Sequence, residues 1–265
     1  MLFYDKKAIY KEVKMKLNVS IEDIPFGTSI QDIVVPDILK KRIPTGIEYF
    51  DAVIGGEGFT PSMVTLFTGT PGAGKTTMML SLANSLQGRG AQVVFNTAEE
   101  SLHQVKMTTD RLRLKHPFMV GSLDNVQELL KGCDKVRKKH NNKSFFLIVD
   151  SLQCMNDGYF KSGRITSATS ERSLQLITTY AKEHACNILV IGQVTKDGKM
   201  AGSNKLKHMV DSHIHLSVEE KDEDLRGCRV LETQKNRFGG CGHIVFLNLR
   251  RKGFEEVARI SAAGI

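Results

Sequence analysis

The chain has 265 residues, 41% of them apolar, and a formal net charge of +8. That length fills one large α/β domain with a small attachment, and the basic excess favours a polyanionic partner. Five cysteines without a C-x-x-C pair argue against a zinc site or a disulfide framework; with no signal-type run and nothing near the roughly 18 apolar residues of a membrane span, the expected setting is cytoplasmic.

Residues 4–17 have the spacing of a short amphipathic helix, with Asp5 as cap and Ile9, Val13 and Leu17 on one stripe. So short a helix must dock to be stable, on its own core or on a neighbouring subunit. Residues 18–44 carry Pro25, Pro36 and Pro44 and read as an extended arm. The expected division is therefore a helix and arm over 1–41 and a compact domain over 42–265. In that domain 48–54 reads as a helix stopped by Gly55 to Gly58, and 63–67 as an apolar strand.

Gly69-Thr70-Pro71-Gly72-Ala73-Gly74-Lys75-Thr76 follows, a G-x-x-x-x-G-K-T loop between that strand and a helix over 77–86. Its glycines let successive N–H groups turn onto phosphate oxygens, and the positive end of the helix adds to the field. Lys75 reaches β- and γ-phosphates, the Thr76 hydroxyl ligates Mg²⁺, and Thr77 completes the binding set. The pattern implies a nucleoside triphosphate, ATP with Mg²⁺.

Gly88 and Gly90 stop the helix. A strand over 92–97 ends in Ala98-Glu99-Glu100-Ser101, then a helix runs over 102–114, a short strand near 118–120 and a helix over 125–140. Phe145 to Asp150 is an unbroken apolar run closed by an acid, the mark of a parallel strand buried on both faces. A polar loop over 155–167, a helix over 170–183, a buried strand over 187–192 and a loop rich in Lys and Gly over 194–206 come next. The tail reads as strands at 213–218, 229–232 and 244–249, with the acidic run 219–224 as a solvated hairpin tip. The expected fold is a wound, mostly parallel α/β sheet with helices on both faces and a C-terminal β-meander.

In an open parallel sheet the carboxyl ends of the strands line the ligand crevice. Asp150 stands there as the acid for Mg²⁺. Glu99 ends the intervening strand and can activate water as a general base, with Glu100 as its rival. Gln193 follows the strand at 187–192, beside the same crevice, where its amide can sense a γ-phosphate.

The phosphate loop, Asn96-Thr97-Ala98-Glu99-Glu100-Ser101 and Leu147-Ile148-Val149-Asp150-Ser151-Leu152-Gln153 together resemble the RecA-type ATPases. Gly192 to Gly202, Leu206-Lys207-His208-Met209-Val210-Asp211 and Lys235-Asn236-Arg237-Phe238-Gly239 resemble the bacterial RadA (Sms) family, over about residues 42–250. The resemblance implies a RecA-like P-loop core and a DNA-dependent ATPase that works as a hexameric, DnaB-like helicase motor on single-stranded or branched DNA. It implies Glu99 as water activator, Gln193 as nucleotide sensor, and Lys235 and Arg237 as groups reaching a neighbour's phosphates. It also places two loops in the central channel. One, 156–167, holds Tyr159, Phe160, Lys161 and Arg164; the other, 194–207, holds Lys196, Lys199, Lys205 and Lys207.

Departures accompany the likeness. The family's four-cysteine zinc module and protease-like domain have no counterpart in the chain, so a minimal core is expected, from a bacterial cell or a phage. Gln193 stands where the family often has His, and Thr108 where it tends to have Arg, which bears on how the nucleobase packs. Two other functions remain open on this reading: a RecA-like strand-exchange filament, and a KaiC-like regulatory ATPase that does not act on DNA.

Overall fold

The computed structural model describes residues 24–139, 143–160, 165–193, 205–241 and 243–261; the helix expected over 4–17 lies outside them. The strands are β1 (Val64–Gly69), β2 (Gln92–Thr97), β3 (Met119–Gly121), β4 (Phe145–Asp150), β5 (Asn187–Gln193), β6 (Ser212–Val218), β7 (Arg229–Asn236), β8 (His243–Arg250) and β9 (Gly253–Ser261). They form one nine-stranded sheet in the order β3-β2-β4-β5-β1-β6-β7-β8-β9. Strands β3 through β6 in that order run parallel, and β6 to β9 pair antiparallel. The meander thus continues the main sheet rather than packing beside it.

The helices are α1 (Asp37–Lys40), α2 (Glu48–Val53), α3 (Lys75–Gly88), α4 (Leu102–Leu112), α5 (Val126–Lys138), α6 (Ser167–His184) and α7 (Lys205–Met209). They cover both faces. Strands β1, β2 and β4 are buried along their whole length, so their side chains feed two cores, which is why their sequences run apolar without alternation. On one face Phe67, Phe95 and Ile148 pack with Phe50 of α2 and Met78 and Leu82 of α3. On the other, Leu66, Leu147 and Ile188 pack with Leu129 of α5, Leu174 and Ile177 of α6 and Leu206 of α7.

Several boundaries differ from the sequence reading for local reasons. Helix α6 starts three residues early because Thr166 and Thr169 form a reciprocal capping box. Helix α4 stops at Leu112 where Arg113 turns left-handed, φ 56°. Helix α7 lies in what reads as loop; five residues are too few for a periodic signal, and Leu206 alone is its buried anchor. Strand β7 runs on to Asn236, well past 232, because a register shift opposite His213/Ile214 breaks the alternation that marks a strand. Strand β9 has no counterpart in the sequence reading. It is an edge strand whose Val257 and Ile260 are 47% and 52% exposed, so it shows no buried face to read.

At the amino end, Phe26, Ile30 and Val34 are exposed, with a single 3₁₀ turn, Ile30–Asp32, and α1 as the only regular structure over 24–41. Tight packing begins where Ile43 and Phe59 exchange backbone bonds of 2.9 and 2.8 Å. Gly58, at φ +88°, permits this; a Cβ there would stand 2.2 Å from the Ile43 carbonyl oxygen. No helix among the described residues is long and apolar enough to cross a membrane.

Candidate active site

Register brings four strand ends together. Gly69 of β1 lies opposite Gln193 of β5, and Thr97 of β2 opposite Asp150 of β4. The loop leaving β1 is held on β6, where the Thr70 N–H donates to the Leu216 carbonyl at 3.1 Å. A Cβ on Gly69 would sit 2.3 Å from that oxygen. Gly74 begins α3 at φ +102°, and a Cβ there would meet Phe254 Cζ at 2.9 Å and Leu249 Cδ2 at 3.1 Å. The β8–β9 hairpin thus closes over the loop. Pro71 and Gly72 are exposed at its mouth, Ala73 is buried beneath, and the Thr70 hydroxyl is buried without a partner among the described residues. Lys75 Nζ donates to the carbonyls of Gly69 (3.0 Å) and Thr70 (3.2 Å). Burial holds its ammonium below the usual lysine range, against the pull of Asp150 and Glu99.

The Thr76 hydroxyl donates to Asp150 Oδ2 at 2.7 Å. Burial raises Asp150 to about 6, with Glu99 and Glu100 adding to the rise and the Thr76 bond opposing it. The turn carrying those two acids is closed by Thr97, whose Oγ1 accepts from the N–H groups of Glu99 and Glu100. Glu99 Oε2 accepts from Gln193 Nε2 at 3.1 Å, and the Gln193 N–H donates to Gln153 Oε1 at 3.1 Å. Glu99 faces Lys75 and the β5 end, which favours it over Glu100 as the acid aimed at the loop.

Lys235 and Arg237 lie at the opposite end of the sheet. Lys235 pairs in register with His213, itself three residues before the Leu216 that anchors the loop. Lys235 Nζ donates to the carbonyls of Lys207 (2.9 Å) and Val210 (2.7 Å), at the carboxyl end of α7. Arg237 donates to Asp211 Oδ1 at 3.2 Å. Asp211 stands 26 residues away in the chain and is brought alongside by the β6–β7 pairing.

Of the residues assigned to DNA, Lys161, Arg164, Lys196 and Lys199 lie outside the described residues. Lys205, exposed at the start of α7, stands 3.8 Å from Glu171 of α6. Tyr159, 62% exposed, meets Phe160 edge-on at 5.0 Å between centroids. The Arg172 guanidinium lies 4.5 Å over the Tyr159 ring and is ion-paired with Asp157.

Known proteins resemble the chain in sequence and in fold. The family described as "ATPase: KaiC" matches residues 43–116. DNA repair protein RadA of Haemophilus influenzae is 32% identical over 222 residues, 83% of this chain and 46% of that protein. The chain is RadA-like. It spans about half the length of the curated relatives it matches. Among solved structures, a DnaB-like replicative helicase superposes with a TM-score of 0.70 at 14% identity, over 81% of this chain and 61% of that one. A KaiC-like protein from the archaeon Pyrococcus horikoshii superposes with a TM-score of 0.67 at 19% identity, over 82% and 99%. These confirm the RecA-type α/β fold.

In this RadA-like chain the residues present fit a magnesium nucleotide. Thr76 and Asp150 place two hard-oxygen donors side by side, and burial raises the Asp150 carboxyl, a cost that a bound cation would relieve. The glycine cradle and the partnerless Thr70 hydroxyl fit a phosphate chain. Sequence reasoning missed Gln153, Arg111 and the hairpin. Arg111, one helical turn beyond Thr108, donates to the Thr77 hydroxyl (3.3 Å) and the Arg251 carbonyl (3.0 Å), tying α4 to the hairpin at the loop. The alternation of the tail could not reveal this, since Leu249 and Phe254 meet Gly74 only after the meander has folded back.

Proposed function

We propose that the chain hydrolyses ATP and couples this to movement on single-stranded or branched DNA, as a ring of copies, six in number by likeness to RadA. Lys75 and the loop N–H groups bind the β- and γ-phosphates. Thr76 and Asp150 would hold Mg²⁺, which when bound would supply positive charge against the phosphates. Glu99 takes a proton from the attacking water. Arg111 and the Leu249–Phe254 hairpin flank the loop on the side where the nucleoside leaves it.

The observation that carries this reading is the Gln193–Glu99 bond. The residue that touches the water-activating acid is also the last of β5, where the chain enters the lysine-rich loop expected in the DNA channel. A change in Glu99's partners on hydrolysis thereby reaches that loop. The Tyr159–Phe160 pair, exposed and braced by Arg172, supplies stacking faces for bases. Lys235 and Arg237 stand about 10–17 Å down the sheet from the loop, beyond reach of their own nucleotide, so the phosphates they serve belong to another copy. The exposed arm over 24–41 is proposed to dock on a neighbouring copy as well.

The test is the ATPase rate with and without single-stranded DNA, alongside electron microscopy of the assemblies. Stimulation with rings supports the motor, and directional strand displacement separates it from a strand-exchange filament. An unstimulated ATPase supports the second reading, a regulatory ATPase, which the match to the KaiC family over 43–116 favours.

A further inference from the structure

Two histidines of β6 take no part in the site above. His213 and His215 share the sheet face that carries Val64 and Leu66 into the core beneath α6 and α7. Between them stands Thr68, the last residue of β1 before the phosphate-loop motif. Its Oγ1 lies 2.7 Å from His213 Nε2 and 2.8 Å from His215 Nδ1. Thr68 and His213 are buried and His215 half-buried. Burial keeps both rings neutral, pushing His213 down to about 3 and His215 below its usual range.

A hydroxyl has one proton. Between neutral rings it donates to one bare nitrogen and accepts from the N–H of the other. The three groups therefore form a directed chain with two senses. In one, His213 Nε2–H donates to Thr68, Thr68 donates to His215 Nδ1, and the His215 proton sits on Nε2. In the other, His215 Nδ1–H donates to Thr68, Thr68 donates to His213 Nε2, and the His213 proton sits on Nδ1. Reversal shifts one proton from His213 Nε2 to Thr68 and one from Thr68 to His215 Nδ1, while His215 Nε2 releases a proton to water and His213 Nδ1 takes one up from water, so each ring keeps one proton in both senses and the net charge is unchanged.

The groups facing the two ends differ. His215 faces Lys75 of the phosphate loop, Lys207 of α7 and, across the ladder, Glu232 of β7. His213 faces Lys207 and its register partner Lys235, which grips the end of α7. A bare ring nitrogen attracts an ammonium and an N–H repels it, so the sense of the chain depends on where these lysines stand. Lys75 donates here to loop carbonyls and turns to phosphates when a triphosphate binds.

We propose that His213, Thr68 and His215 form a hydrogen-bond relay that passes the state of the phosphate loop down β6 to Lys235 and α7. Thr68 is then a positioning residue for coupling and not a catalytic one. The relay rests on the DNA-stimulated reading for its consequence, though not for its existence.

Thr68→Val keeps the shape and removes the hydroxyl; Thr68→Ser keeps the hydroxyl. Thr68→Val is expected to bind a fluorescent ATP analogue and hydrolyse ATP without DNA within about twofold of wild type, while losing most of its stimulation by single-stranded DNA. Thr68→Ser restores it. If Thr68→Val is stimulated like wild type, or loses basal turnover in step with stimulation, the relay is wrong. The second measurement is the ¹⁵N shift pattern of the two rings in the full chain, with ADP and with a non-hydrolysable ATP analogue plus Mg²⁺. Opposite tautomers in the two states are expected, and identical tautomers overturn the proposal. If wild type shows no DNA stimulation, the proposed function fails and the tautomer result alone decides the relay.

Discussion

Arg237 is assigned two tasks, and their magnitudes separate them. Its guanidinium, 50% exposed, pairs with Asp211, a carboxylate only 8% exposed that also accepts from the Val64 N–H at 3.0 Å. Truncating Arg237 leaves that carboxylate buried on one backbone donor. Half of the pair is in water, so the loss is about 1–2 kcal/mol rather than the 3–5 of a fully buried pair. For a chain of this size that lowers the melting temperature by about 2–8 °C. A cation supplied to a neighbour's phosphoryl transfer is worth about 10³–10⁵ in turnover, or about 4–7 kcal/mol. Arg237→Ala should therefore melt several degrees lower, bind ATP normally, and lose turnover by far more than its instability explains. Adding Asp211→Asn removes the stranded charge; the double variant should regain most of the melting temperature and none of the turnover. The assay is the rate per folded chain, measured through the protein concentrations at which assembly forms. If Arg237→Ala matches wild type per folded chain, or if wild-type monomers are as fast as the assembly, no composite site exists.

Lys75→Ala should abolish turnover and weaken ATP binding, whereas Glu99→Gln should keep binding and lose about 10²–10⁴ in turnover. A dead Glu100→Gln beside an active Glu99→Gln in the same assay would move the base to Glu100. Replacing Lys196 and Lys199 together should weaken DNA binding and lower the slope of log K against log salt by roughly two, with basal hydrolysis retained; an unchanged slope takes that loop out of the DNA path. Acid should destabilise the fold through its histidines. His213 is pushed down to about 3 and His184 to about 4, so the unfolded chain takes up protons first, and the stability present above about pH 6.5 is lost as pH falls toward the native values. Asp150, raised to about 6, acts in the opposite sense and offsets part of the loss. Urea midpoints should hold from pH 8 to 7 and then fall, less steeply in His213→Gln; an identical slope in that variant would show that His213 is not buried neutral.

Much of this protein is written locally. The phosphate loop is legible because eight consecutive residues carry the whole requirement: a strand end, glycines that free the N–H groups, a lysine and a helix start. Asp150 is legible because a strand buried on both faces shows as an unbroken apolar run, and the acid ending it lies at the crevice by the geometry of parallel sheets. What the sequence could not decide are encounters across crossovers. Glu99 meets Gln193 from 94 positions away, and Thr68 reaches His213 from 145. The first depends on β4 lying between β2 and β5, the second on β1 lying beside β6, and both on the register of each ladder, which no local spacing encodes. Strand β9 and helix α7 escape a sequence reading because an edge strand and a five-residue helix bury too little to leave a pattern. The hairpin over Gly74, the Asp211 partner of Arg237 and the histidine relay belong to the tertiary structure alone, because each is made by strands that become neighbours only once the whole sheet has closed.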